Sequence, residues 1–244
     1  MKKFNARHTK SLGFSLVESL LCLSLFLILL LGGLEVFAAG RRIFFKLKTH
    51  QETMVSVSAA LHKIKTDLQK AGYGLLPSLE AGLLKGINLE NGTMTILQAE
   101  RFLLPAEDFT PGQTSLKVKN KPKVKAGRKI AIFSSAGIEI RSVTGCGPEH
   151  LFLKAPLENS YTREETTLAL IRKTALFFDT KTDTVRREIN DGSAQPLFEG
   201  AALFELSYDE VSNLVRIRLA SLENKEKIHE FSLCPENISI SLRK

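Results

Sequence analysis

The stretch FSLVESLLCLSLFLILLLGGLEVFAA, residues 14–39, decides the fold of this 244-residue chain. Aliphatic and aromatic residues dominate it, and its only charged residues are Glu18 and Glu35. As a helix it would be ~39 Å long at 1.5 Å per residue, which exceeds the ~30 Å hydrocarbon core of a bilayer. The stretch therefore predicts a transmembrane helix over residues 14–39.

The residues before this stretch indicate its orientation. Four basic residues and no acidic one lie within residues 1–13, and basic flanks favour the cytoplasmic side of a membrane. Everything after Ala39 should then lie on the opposite side. A secretory signal has a shorter apolar region and an A-x-A cleavage site at its end, and neither is found here. We therefore expect an anchor.

The cytoplasmic edge of the apolar run reads Ser11-Leu12-Gly13-Phe14-Ser15-Leu16-Val17-Glu18. This segment resembles the signature of type IV prepilins, although Ser15-Leu16-Val17 replaces the usual Thr-Leu-Ile. The resemblance implies that residues 1–13 are a leader that prepilin peptidase removes after Gly13. It implies that Phe14 becomes an N-methylated N-terminus and that Glu18 is the carboxylate that meets the N-terminal amine of a neighbouring subunit.

The position of Glu18 is informative even without the resemblance. A carboxylate near the start of a spanning helix is costly in lipid and indicates a partner or a function. The alternative is that the segment is a plain signal anchor and that the Glu18 carboxylate simply lies among the lipid head groups. The spacing of Gly13, Phe14 and Glu18 at the cytoplasmic edge of the run favours a function in assembly.

Beyond the basic pair Arg41 and Arg42, the pattern predicts that the helix continues in solution over residues 40–75. Apolar residues recur at spacings of three and four and would form one face: Met54, Val57, Leu61, Ile64, Leu68 and Ala71. No proline lies between Phe14 and Tyr73. One long helix is expected, broken or softened at Gly32, Gly33 and Gly40 and ending near Gly72 and Gly74.

Residues 76–244 are predicted to form a β-rich globular domain, because short alternating or apolar segments are separated by turn residues. Strands are expected near residues 93–98, 129–133, 138–143, 151–154, 167–171, 176–179, 202–208, 214–219, 228–233 and 238–242. The fold class is therefore α+β, with the long helix packed on a mostly antiparallel sheet. The segment Ile64–Tyr73 resembles the end of this helix in W-type minor pilins and, more loosely, in J-type pseudopilins.

The three cysteines differ in their surroundings. Cys22 lies inside the apolar run, whereas Cys146 and Cys234 lie in the polar body. An even pair in an oxidising compartment predicts a Cys146–Cys234 disulfide. The alternative is a pair of buried free thiols.

Four charges of the net +8 lie within residues 1–13, and the remaining balance of about +4 is too mild to indicate nucleic acid. One basic row nevertheless needs an explanation. Alternate residues of one segment are lysine: Lys117, Lys119, Lys121, Lys123 and Lys125. Such a row could bind phosphates or protect a solvated edge strand from aggregation. Pro122 interrupts the row, and no aromatic residue is interleaved to stack on bases. We favour the solvated strand and expect no nucleic-acid partner.

No sequence motif of an enzyme is found, and no metal or other cofactor is expected. Cys146 and His150 could form a nucleophile and base, but Gly147 and Pro148 between them indicate a turn. The function expected from the resemblance is that of a minor type IV pilin in the inner membrane, with its body in the periplasm. Implied partners are other minor and major pilins, prepilin peptidase, the inner-membrane assembly machinery and lipid. The alternatives are a J-type pseudopilin of a type II secretion system and a membrane-anchored extracytoplasmic binding domain.

Overall fold

A computed structural model describes residues 15–119 and 123–239 of the chain. The chain divides into two compact units, Met1–Glu52 and Thr53–Lys244. The first helix, α1, runs over Leu16–Gln69 and so contributes to both units. It is unbroken at Gly32, Gly33 and Gly40, where we expected it to be broken or softened. A glycine costs about 1 kcal/mol in a helix, and the surrounding leucines are strong helix formers.

Two short helices and twelve strands follow α1 in the described residues. The helices are α2 (Leu76–Glu80) and α3 (Glu236–Ser239). The strands are β1 (Ile87–Glu90), β2 (Thr93–Leu103), β3 (Ser115–Lys117), β4 (Lys129–Ser134), β5 (Gly137–Cys146), β6 (His150–Leu153), β7 (Thr167–Asp179), β8 (Thr184–Ile189), β9 (Gln195–Glu199), β10 (Ala201–Asp209), β11 (Leu214–Ser221) and β12 (Asn224–Leu233).

The strands form two antiparallel sheets. The larger sheet has the order β1-β2-β7-β4-β5-β6-β3, and β8 and β9 extend it from β7. Strand β7 pairs with β2 on one side, while on the other side its first half pairs with β4 and its second half with β8. The smaller sheet has the order β10-β11-β12. The α+β class with a mostly antiparallel sheet is thus confirmed.

Some of the predicted strands are wrong in extent or type. The segments expected at 167–171 and 176–179 are one strand, β7, because Arg172 to Ala175 continue the pairing with β2. The strand expected at 238–242 is not formed at its start, since Ile238 lies in α3, and residues 240–242 lie outside the described part. Strands β1, β8 and β9 and helix α2 were missed, whereas β3 covers only the start of the segment 116–125 that was expected to be a solvated strand.

The second half of α1 packs on the smaller sheet and on one end of the larger sheet. Val57, Ala60, Ile64 and Leu68 of α1 are buried in one hydrophobic cluster with residues of β2, β7, β10 and β11. This is the apolar face predicted from the spacing of three and four. A second cluster lies among β3 to β7 and their loops. The helix is therefore part of the core of the body from Val57 onward.

Two glycines take the chain from α1 into the body. Gly72 and Gly74 have φ angles of +75° and +67°, which glycine adopts without steric cost. The chain is hydrogen-bonded to the larger sheet at this point, since the Gly72 N–H donates to the Leu97 carbonyl at 2.8 Å. A Cβ atom at Gly74 would lie 2.6 Å from Cζ of Phe102 and 2.8 Å from Cβ of Ala99. The predicted end of the helix near Gly72 and Gly74 is confirmed.

Gly74→Ala should destabilise the body more than Gly92→Ala. Gly92 has a similar φ of +72°, but nothing lies within 4 Å of the Cβ it would gain. Both substitutions carry backbone strain of about 1–2 kcal/mol, and overpacking at Gly74 should add about 1–3 kcal/mol. Urea unfolding of the full chain in detergent measures the difference. Equal losses for the two variants would show that Phe102 and Ala99 yield freely.

Candidate functional site

The candidate assembly site lies at the start of α1. Gly13 and Phe14 lie outside the described residues, so the structure places only Glu18 of the predicted motif. Glu18 is in the first turn of α1, and its N–H lies 3.4 Å from the Ser15 hydroxyl oxygen, which accepts from it. Ser15-Leu16-Val17-Glu18 thus has the Ser-x-x-Glu pattern of a capping box. The local sequence starts the helix here and fixes Glu18 at its head.

The Glu18 side chain is exposed at the edge of an apolar surface. Its neighbours Leu16, Val17, Leu20 and Leu21 are large hydrophobic residues that are more than half exposed. Within the described residues no ion pair involves Glu18. The positive end of the helix dipole favours a carboxylate in the first turn, but in lipid such a charge still calls for a cationic partner.

The first unit carries one helix that is long and apolar enough to cross a membrane, judged by length and composition. Its most apolar window has a mean hydropathy of 2.5, and none of that window is buried. Single-pass anchoring is consistent with this surface. At the other end of the apolar run, the Arg41 guanidinium lies 5.5 Å from the centre of the Phe45 ring. Basic and aromatic side chains of this kind are typical of a membrane interface.

A buried ion pair holds the second half of α1 to the larger sheet. Arg187 of β8 donates from Nε to Oδ2 of Asp67 at 2.6 Å and from Nη2 to Oδ1 at 2.9 Å. Both side chains are only 6% exposed. The helical spacing placed Asp67 on the polar surface of the helix, and this expectation is wrong, because the structure buries it. The sequence did not reveal its partner either, because 120 positions separate the two residues. The geometry is the bidentate one that arginine and a carboxylate prefer.

The predicted Cys146–Cys234 disulfide is not present, and this expectation is corrected. Cys146 and Cys234 are both free and exposed. Cys146 ends β5 in the larger sheet, whereas Cys234 follows β12 in the smaller one. The Cys146 thiol instead donates to the Val124 carbonyl at 3.2 Å. An even count of cysteines could not reveal that the two strands belong to different sheets.

Cys146 and His150 are both engaged with other groups. His150 Nδ1 lies 3.1 Å from the Ser115 hydroxyl, and its ring stacks on that of Phe152. The Gly147 N–H donates to the His150 carbonyl at 2.8 Å, which closes the turn expected there. Across residues 15–119 and 123–239, no group of three or more His, Cys, Asp or Glu residues could hold a metal ion.

The lysine row alternates with buried residues where the structure describes it. Leu116, Val118 and Val124 are buried, and the lysines between and beside them face outward: Lys117 is half-buried, while Lys119, Lys123 and Lys125 are exposed. Lys121 lies outside the described residues. Strand β3 ends the order of the larger sheet. Of the described lysines of the row only Lys117 lies in a strand, because β3 ends there. The row faces solvent as expected, but the strand does not extend along it.

A buried carboxylate that sequence analysis missed fastens a loop to β5. Glu139 accepts hydrogen bonds from the N–H groups of Glu158 and Asn159 at 3.0 and 2.7 Å, and forms an ion pair with Arg141 at 2.7 Å. The neighbouring Tyr161 is fully buried. Burial, and secondarily the charge of Glu139, raises the pKa of the Tyr161 hydroxyl well above its usual range. The cluster holds the loop in place.

No protein-family model matches the chain, and no curated protein matches it. Among solved structures, the chain is similar to the tailspike gp61 of Pseudomonas phage phi297, at 12% identity and a TM-score of 0.28 over 30% of this chain and 14% of that one. It is also similar to the tailspike gp49 of Pseudomonas phage LKA1, at 15% identity and a TM-score of 0.27 over 31% and 14% of the two chains. Likeness at this level carries no argument about function.

Proposed function

We propose that this chain is a minor type IV pilin, a structural subunit that helps to initiate, prime or cap assembly of a pilus. Its anchor would be the first half of α1 in the inner membrane, and its body would lie in the periplasm. The observation that carries the proposal is the Gly13-Phe14 pair followed by Glu18 at the head of a long apolar helix. No other segment of the sequence has so specific a spacing.

The apolar surface of α1 supports the proposal because it suits both a membrane and the interior of a filament. From Leu16 to Phe37 its large hydrophobic side chains are exposed, so in the membrane they would face lipid. A subunit that leaves the bilayer for a filament must exchange lipid for other apolar helices, because so large an apolar surface is not stable in water. A helix that is apolar on every side can be covered by several neighbouring helices.

The body supports the same function through its firm attachment to α1. The buried face from Val57 to Leu68 and the Asp67–Arg187 pair join the helix to both sheets. The partners of such a subunit would be other minor and major pilins and the assembly machinery, and cleavage would require prepilin peptidase.

The experiment that tests the proposal is intact-mass analysis of chain extracted from membranes of a host that has prepilin peptidase. Loss of residues 1–13 and the gain of one methyl group on Phe14 are expected. Gly13→Val should leave the leader attached, whereas Gly40→Val should be processed like the wild type, because a Cβ at Gly40 meets nothing within 4 Å. A mature chain that begins at Met1 would contradict the proposal and favour a plain membrane-anchored domain.

A further inference from the structure

A groove of ≈ 380 Å³ runs between the second half of α1 and strand β12. We call it the α1–β12 groove. Its apolar lining consists of Met54, Val57 and Leu61 from the helix and Phe231 from the strand. Val57 is buried, and the other three are half-buried. The groove is therefore an apolar surface that the described residues leave open to solvent.

The strand beside the groove has a free edge. β12 is the last strand of the smaller sheet and pairs only with β11 among the described residues. The backbone N–H and C=O groups on its other side therefore face outward, and a free edge of this kind can accept an added strand. Side chains of an added strand would alternate between the two faces of the sheet. Those on the inner face would lie over the groove.

The ionisable groups that line the groove are all basic or imidazole groups, and the neutral residue Ser58 also lines it. Lys65, His62 and His229 line it, and no carboxylate does. At one end, Nζ of Lys227 lies 3.8 Å from Sδ of Met54. Two nearby acidic groups are engaged with other residues. Glu230 pairs with Arg218 of β11, and Glu223 accepts a hydrogen bond from the Thr53 hydroxyl at 2.6 Å. The groove thus offers positive charge at both ends of an apolar floor.

We propose that the α1–β12 groove binds an extended acidic segment of another protein, which adds as a strand to the free edge of β12. Apolar side chains of the segment would lie on the floor of the groove, and its carboxylates would meet Lys227 at one end and Lys65 at the other. Met54 and Lys65 are ~16 Å apart along the helix axis. About five residues of extended strand, at ~3.3 Å each, cover that distance.

The inference goes beyond the filament function and does not depend on it, because the site lies wholly within the body. A subunit of any extracytoplasmic assembly could use it, as could an anchored binding domain. Three properties define the occupant: an extended backbone, apolar side chains at its centre and carboxylates near its ends on the same face.

The test uses the full chain in nanodiscs of zwitterionic lipid and a synthetic probe of sequence SESVSLSES, in which Glu, Val, Leu and Glu share one face. Fluorescence anisotropy of the labelled probe should show saturable binding. Exchanging both Glu residues for Lys should weaken it about tenfold or more, since each exposed ion pair contributes up to about 1 kcal/mol. Exchanging Val and Leu for Ser should abolish binding of the probe altogether.

Two matched variants place the binding in the groove. The double substitution His62→Glu with Lys65→Glu should weaken binding about tenfold, and both side chains are exposed, so the fold should persist. Lys63→Glu is the control: Lys63 is exposed on the same helix but does not line the groove. It should change the affinity by less than about twofold.

N-methylated probes distinguish strand addition from other modes of docking. Only every second amide of an added strand faces β12. N-methylation of that set of amides should abolish binding, whereas N-methylation of the other set should leave the affinity unchanged. Equal effects of both sets, or equal affinity for the Glu and Lys probes, would overturn the proposal. Sedimentation analysis tests whether a second copy of this chain occupies the groove instead. If the chain dimerises and the His62 and Lys65 double substitution disrupts the dimer, the groove is assigned to that second copy.

Discussion

Asp67→Ala is expected to lower the free energy of unfolding of the body by about 3–5 kcal/mol. The substitution leaves the Arg187 guanidinium buried without its carboxylate. Both hydrogen bonds, at 2.6 and 2.9 Å, are lost at once, and a side chain only 6% exposed cannot recover them from water. The loss would be a large fraction of the roughly 5–15 kcal/mol that stabilises a typical native protein. Urea unfolding of the full chain in detergent, followed by circular dichroism of the β-rich body, measures it.

An exposed ion pair supplies the control for this substitution. Glu210 pairs with Lys85 at 2.8 Å, but the two side chains are 60% and 64% exposed. Glu210→Ala should therefore cost less than about 1 kcal/mol. The double variant Asp67→Leu with Arg187→Met should recover most of the stability, because no charge is then left buried. If Asp67→Ala cost no more than Glu210→Ala, the buried pair would not be what holds α1 to β8.

The sequence predicts the helix and most of its buried face, because both depend on local patterns, although the burial of Asp67 was not predicted. Val57, Ile64 and Leu68 repeat at the helical period, and the structure buries all three. The strands with clear alternation or apolar runs were also found. The β1–β2 hairpin was missed although its turn is Asn91-Gly92, with φ angles of +49° and +72°. That dipeptide is a strong local signal for a two-residue hairpin.

Long-range pairing explains the remaining errors in the predicted fold and site. Asp67 and Arg187 are far apart in sequence, so no local pattern joins them. Glu139 lies between Ile138 and Ile140, and alternation would turn its side chain outward. The structure buries it instead, with 4% exposure, because the backbone of Glu158 and Asn159 supplies donors that only the folded loop brings near. The Cys146–Cys234 expectation failed for the same reason.

Glu18→Ala is expected to abolish filament assembly or reduce it severely, while leaving the body folded and the anchor intact. Glu18 lies in the first turn of α1, within the unit Met1–Glu52, whereas the buried core begins at Val57 in the other unit. Removing the carboxylate therefore takes nothing from the core. It also makes the head of an apolar helix more apolar, which should not weaken membrane anchoring.

In a filament the same substitution has a large cost under the proposed function. Cleavage after Gly13 creates a new amine at Phe14, and among apolar helices that charge requires a carboxylate from a neighbour. Without Glu18 the charge of the amine is left uncompensated. A buried ion pair that loses one partner is typically destabilised by about 3–5 kcal/mol. That corresponds to roughly two to four powers of ten in the association constant at each contact.

Glu35→Ala separates this effect from a general loss of charge in the helix. Glu35 lies in the same apolar run and is exposed like Glu18, but it is not in the first turn. The comparison measures processing by intact mass, anchored protein by membrane fractionation, the unfolding transition of the body and the yield of sheared filaments. Wild-type yield with Glu35→Ala and little or none with Glu18→Ala, at equal processing and stability, is the expected result. Because the amine forms only at the cleaved end of the chain, a normal filament yield from processed Glu18→Ala would show that its charge is neutralised by another group.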